Sequence, residues 1–144
     1  MKTLAKISGV LALLVAAQVS AGELVVIVND SNPVSTMTAS EVKQHYLKDK
    51  TRWDFGQKVR PADSTYDDAA RNAFLARVLN MTEIEIERFW IEQQYVKGGK
   101  PPASLDDDSS VMRFVAKFDG AISFVSRASL NGVSGVKEVF TVSY

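Results

Sequence analysis

Glu23-Leu24-Val25-Val26-Ile27-Val28 is the stretch that most limits what this chain can fold into. Five apolar residues follow one another, four of them β-branched. A half-exposed strand would show a polar residue at every second position. This run shows none, so it reads as a strand covered on both faces, as in sheets layered between helices. Asn29-Asp30-Ser31-Asn32-Pro33 stops it, because turn formers and a proline cannot continue the ladder.

The pattern after the first strand alternates between the two periods. Thr38-Ala39-Ser40-Glu41 is a capping box and opens a helix to about Lys48, with Val42 and Tyr46 on one stripe. Lys58 to Ala62 reads as a short strand. Tyr66 to Leu79 carries Ala70, Phe74, Leu75 and Val78 at helical spacing. Thr82-Glu83-Ile84-Glu85 opens another helix to about Val96, with Ile84, Ile86, Phe89, Trp90 and Gln93 on its apolar stripe. Lys97 to Pro102 is a loop ended by prolines. Asp106 to Ser110 caps a helix from Val111 to Phe118. Ala121 to Val125 is a buried strand, and Val136 to Tyr144 a last one, with Val136, Phe140, Val142 and Tyr144 on one face. Strands alternating with helices give an α/β class, a small mixed sheet flanked by helices.

The start of the chain has a different character. A basic leader, Met1 to Lys6, precedes the apolar run Ile7 to Val19, and Val19-Ser20-Ala21 supplies small residues at the minus-three and minus-one positions of a cleavage site. This is the pattern of a secretory signal peptide over residues 1–21, and the run is short for a membrane span. A retained anchor is the alternative. Cleavage leaves residues 22–144 as a single domain, large enough for one core. Lys2 and Lys6 fall in the leader, so that domain holds 15 basic and 17 acidic residues. This balance argues against sequence-independent nucleic-acid binding, which needs a basic footprint. The chain has no cysteine, hence no disulfide and no lipid-accepting thiol after the leader. A free periplasmic or secreted protein is the expectation. One histidine, His45, and no cysteine leave no clustered zinc site.

Arg60-Pro61-Ala62-Asp63-Ser64-Thr65 ahead of the Tyr66 helix offers two readings. Ser64 with Asp67 makes a capping box for the helix start. The same start carries free amides and a partial positive charge, the makings of an anion cradle, with Ser64 and Thr65 hydroxyls as donors and Arg60 as a planar fork. Asp63, Asp67 and Asp68 crowd that turn with negative charge. Asn32 or Ser35, after the first strand, are positioned to complete such a site, since α/β ligands gather beyond strand ends. His45 reads as a satisfied, partly buried histidine. Trp53 reads equally as a cover for the sheet end or as an exposed contact. Lys97-Gly98-Gly99-Lys100 lacks the spacing of a phosphate-binding P-loop and reads as a surface turn. No nucleophile–base pair, metal cluster or cofactor loop stands out, so the chain does not read as an enzyme, and no cofactor is expected.

Three segments in order carry a resemblance. Asn29-Asp30-Ser31-Asn32-Pro33-Val34 with Thr38–Leu47 and Trp53, then Arg60 to Thr65, then Gly120-Ala121-Ile122-Ser123-Phe124-Val125, are together similar to the periplasmic phosphate-binding proteins of ABC transporters, in the type 2 periplasmic-binding-protein superfamily. The resemblance implies a single-lobe periplasmic-binding-protein-like domain that binds phosphate or a similar oxyanion. It also implies a link to ABC-type phosphate uptake, with a transporter permease as partner. Arg60 and Ser64 match the family's phosphate-contacting arginine and serine at the same separation. Thr65 stands where the family has glycine, and Tyr66 where it has a contacting threonine. Full-size members close two lobes over the ligand, and 123 residues hold about one lobe. The alternative is a cell-envelope protein-interaction module with weakened or lost ligand binding.

Overall fold

The computed structural model describes residues 22–144. The leader expectation lies on residues 1–21, outside the described residues. Five strands form one mixed sheet in the order β3-β2-β4-β1-β5. They are β1 (Glu23–Asn29), β2 (Arg60–Ser64), β3 (Ala103–Leu105), β4 (Ala121–Ser126) and β5 (Val136–Ser143). The helices are α1 (Ala39–Tyr46), α2 (Asp68–Ala73), α3 (Glu83–Lys97) and α4 (Asp108–Lys117). β2 is parallel to β3 and β4, while β1 is antiparallel to both β4 and β5. The α/β class and the helix-flanked mixed sheet expected from the sequence are what the chain adopts.

The apolar run explains itself in section. Leu24, Val26 and Val28 enter one core with α1, the α2 segment and α3, and Val25 and Ile27 enter a second core with Val111 and Val115 of α4. All five residues are fully buried. The first core is the larger one. There Phe74 stacks on Phe124 at 4.1 Å between ring centroids and meets Tyr46 edge-on at 4.7 Å. Both threonine capping boxes form: the Thr38 hydroxyl accepts from the Glu41 amide, Thr82 from Glu85, and each glutamate accepts the threonine amide in return.

Four expectations need correction, each for a physical reason. Ala103–Leu105 forms a strand where the sequence reading assigns no element. Its pairing with Ala62, Asp63 and Ser64 extends β2 to Ser64, two residues past the expected end. Ser64 therefore lies in the sheet, and Asp67 is the N-cap of α2, accepting from the Ala70 amide at 3.2 Å. Second, α2 does not continue as a plain α-helix. Phe74–Leu79 is a π-helix, whose wider turn points Phe74, Leu75, Val78 and Leu79 all into the core. Asn80 closes it in the left-handed conformation, at φ 53°. Third, pairing between β1 and β5 slips at Val26/Ile27, a bulge that reverses the facing of β5. Val136 thus packs on the second core, while Phe140, Val142 and Tyr144 pack on the first. Fourth, Ile84 is 67% exposed, and α3 seats only Ile86, Phe89 and Trp90 on the core.

Candidate functional site

The two ends of β2 set the geography. Arg60 pairs with Ala121 at the start of β4, and Val28 near the end of β1 pairs with Ile122. The starts of β2 and β4 and the end of β1 therefore share one edge of the sheet. Ser64, Thr65 and Tyr66 leave from the opposite edge, where β4 ends at Ser126. The structure does not bring Arg60 together with Ser64: the two ends of a five-residue strand stand about 13 Å apart.

At the Arg60 edge lies an open pocket of about 380 Å3, lined by Gln57, Lys58, Arg60, Lys117, Phe118, Asp119 and Gly120. The Arg60 guanidinium lies over the Phe118 ring, 4.2 Å from its centroid, and the Lys117 ammonium is 5.3 Å from the same centroid. Among the described residues, none of Lys58, Arg60 and Lys117 pairs with a carboxylate. Asp119 is the one acid in the lining, and Gln57 Nε2 donates to it at 3.4 Å. Trp53 closes the floor of this end: it is 4% exposed, and its indole N–H donates to the Gly120 carbonyl at 3.0 Å. Of its two readings, the structure takes the buried one. The His45 ring lies against it at a 47° tilt, 4.3 Å between centroids, and His45 Nδ1 is 3.0 Å from the Lys50 carbonyl.

The turn after β1 lies at the same edge and acts as a clamp. Asn29 Nδ2 donates to the Val115 and Ala116 carbonyls at 2.9 and 3.0 Å, tying β1 to the last turn of α4. Its Oδ1 accepts from the Ser31 amide and hydroxyl. Asn32 is 1% exposed; its Oδ1 accepts from the Val34 amide, and its Nδ2 has no protein partner among the described residues. Ser35 is exposed on the segment that follows. The sequence reading missed the role of Asn29. A lone asparagine at a strand end gave no signal for a partner 86 residues away.

The opposite edge is rimmed by acids. Asp67 caps α2 and Asp107 caps α4, accepting from the Ser110 amide at 2.6 Å, so a carboxylate already occupies both helix starts. Arg127 is held there by Glu23 and Glu138, at 3.0 and 2.5 Å. Thr65 spends its hydroxyl on the Leu105 carbonyl at 3.3 Å, Ser64 is buried, and Tyr66 is 62% exposed. Asp63, on β2, is bound by Arg71, yet burial raises its carboxyl above the ordinary range in spite of that partner. Among the described residues no group of acids, histidines or cysteines is placed to hold a metal ion. No helix among them is long and apolar enough to cross a membrane.

No family model matches the sequence, and no curated protein matches it closely. Solved structures do. An ABC-type phosphate transport receptor from Vibrio cholerae superposes with a TM-score of 0.62 at 21% identity, over 82% of this chain and 46% of the receptor. A substrate-binding protein assigned to a phosphate ABC transporter, crystallised with phosphate bound, from Clostridium perfringens gives 0.60 at 17% identity, over 84% and 46%. PstS from Borrelia burgdorferi gives 0.60 at 8% identity, over 82% and 47%. The chain thus has the fold of part of these proteins, as its three sequence segments suggested, and spans about half their length.

Proposed function

We propose that this chain is a solute-binding module for phosphate or a similar oxyanion, working in the periplasm beside ABC-type phosphate uptake. The observation that carries the reading is the charge polarity of the sheet. At one edge, Lys58, Arg60 and Lys117 line a pocket with no carboxylate paired to them among the described residues. At the other, aspartates cap both helix starts. An oxyanion gains from the first and is repelled by the second, because a capping carboxylate has taken the amides and the partial charge that would bind it. Of the six residues the sequence singles out, the proposal keeps Arg60 as the fork; Asn32, which is buried, and Ser35 follow β1 at the same edge but stand outside the pocket lining. The proposal leaves Ser64, Thr65 and Tyr66 outside. The likeness to phosphate receptors supports the choice of anion and says nothing of affinity. An open pocket on one lobe leaves the anion partly hydrated, so binding near the millimolar range is expected.

The test is a titration with phosphate, sulfate and a chloride control, read by thermal melting and calorimetry. At about 10 mM phosphate and a Kd near 1 mM, the gain is about 1.4 kcal/mol. Arg60→Ala abolishes it and Thr65→Ala leaves it intact. Loss in Thr65→Ala alone moves the site to the acidic edge, and no shift in the parent chain sinks phosphate binding.

A second reading has its own observation. Tyr66 and, on α3, Ile84, Ile91, Tyr95 and Val96 are exposed apolar side chains. Such groups suit a protein contact in the cell envelope. Photo-crosslinking from position 95 in intact envelopes checks it; an absence of adducts alongside saturable phosphate binding leaves the first reading alone.

A further inference from the structure

A second pocket lies between the π-helix, α3 and the turn that leads into β3. It is a pocket of about 390 Å3, walled by Phe74, Leu75, Ile86 and Trp90 and by Pro101 and Pro102. Apolar walls around a concave space are the usual form of an organic ligand site. The polar lining is unbalanced: Asp63, Glu83 and Glu87 face a single cation, Arg71. Arg71 is fully engaged. Its Nε donates to both Asp63 oxygens, at 3.2 and 3.0 Å, and its Nη1 bonds Glu83. Glu87 forms no ion pair among the described residues.

We propose that this pocket binds a small organic cation, a protonated amine on an apolar body. The apolar body displaces water from the Phe74, Leu75 and Ile86 walls, which is favourable in proportion to the area covered. The ammonium then has Glu87 and the remaining oxygen of Glu83 as counter-charges and the Trp90 ring as a face to lie on. A carboxylate-bearing ligand meets the same acids as like charges. The site is independent of the oxyanion reading and shares no residue with the Arg60 pocket.

Hexylammonium, hexanol and hexanoate are matched probes, equal in chain and different in head group. Amide and indole NMR shifts give both the location and the affinity. Hexylammonium is expected to saturate with shifts centred on Trp90, Ile86 and the Arg71 side chain, about tenfold tighter than hexanol, with hexanoate weakest. Glu87 is exposed, so Glu87→Gln folds normally; it lowers hexylammonium affinity several-fold and leaves hexanol unchanged. Equal affinity for hexylammonium and hexanol, tighter binding of hexanoate, shifts centred elsewhere or no saturation each overturns the proposal.

Discussion

His45 shows how one buried side chain fixes a pH response. Burial against Trp53 pulls its pKa below the ordinary histidine value of 6.5, ahead of the Lys50 carbonyl contact and the nearby Asp54 and Glu41, which pull it up. Because the folded state holds the neutral form, the unfolded chain binds the extra proton between 6.5 and the lowered folded value. His45 thus contributes stability that is complete above 6.5 and is lost as the pH falls through the folded pKa. Urea melts from pH 7.5 down to 5 should show a falling midpoint, and His45→Gln should flatten that slope. A slope unchanged in the variant would assign the effect to other groups.

Among elements, the start of α2 is where sequence and structure diverge most usefully. Two of the three expected capping boxes form where the spacing puts them, since a threonine and a glutamate three apart satisfy each other without outside help. The third, at Ser64, does not. Its fate was set by Ala103–Leu105, a three-residue strand with no pattern of its own, which draws Ser64 into the sheet. The same pairing separates Arg60 from Ser64, so the expected cradle fails by topology and not by residue type. Legible in the sequence were the features made locally: the doubly buried β1, the threonine caps and the apolar stripes. Hidden were the features made across the chain, namely β3, the bulge that turns Val136 to the second core, and the basic pocket assembled from β2 and the α4–β4 turn. The cap assignment has a direct check. Asp67→Ala should cost about 1 kcal/mol in a denaturant melt, the usual size of a lost cap, and Ser64→Ala less. The reverse order would restore Ser64 as the cap.

At the scale of the molecule, the sheet is stitched from distant sequence. β1 lies between β4 and β5, and Gly22 and Tyr144 exchange backbone hydrogen bonds at 3.0 Å in both directions. Pairings of this span close large loops before any contact rewards them, so folding should be slow for the chain's size, on the order of milliseconds to seconds. The adjacency of residues 22 and 144 also allows the backbone of residues 22–144 to be joined there and opened elsewhere. A circular permutant that links Tyr144 to Gly22 through a short glycine-rich bridge and opens between Gly98 and Gly99 should keep the native circular dichroism and a cooperative melt. A non-cooperative melt would show that the order of synthesis matters to the fold.

That pairing of Gly22 with Tyr144 gives the molecule a stalk side and a mouth side. β1 carries the chain from the Gly22–Tyr144 pairing to the turn at Asn29, about 20 Å away. The basic pocket opens at the Asn29 end. Whatever is joined at residue 22 or residue 144, whether a tether, a fusion partner or a solid support, leaves from the far pole. A hold at residue 22 or residue 144 leaves the pocket of Lys58, Arg60 and Lys117 at the opposite pole.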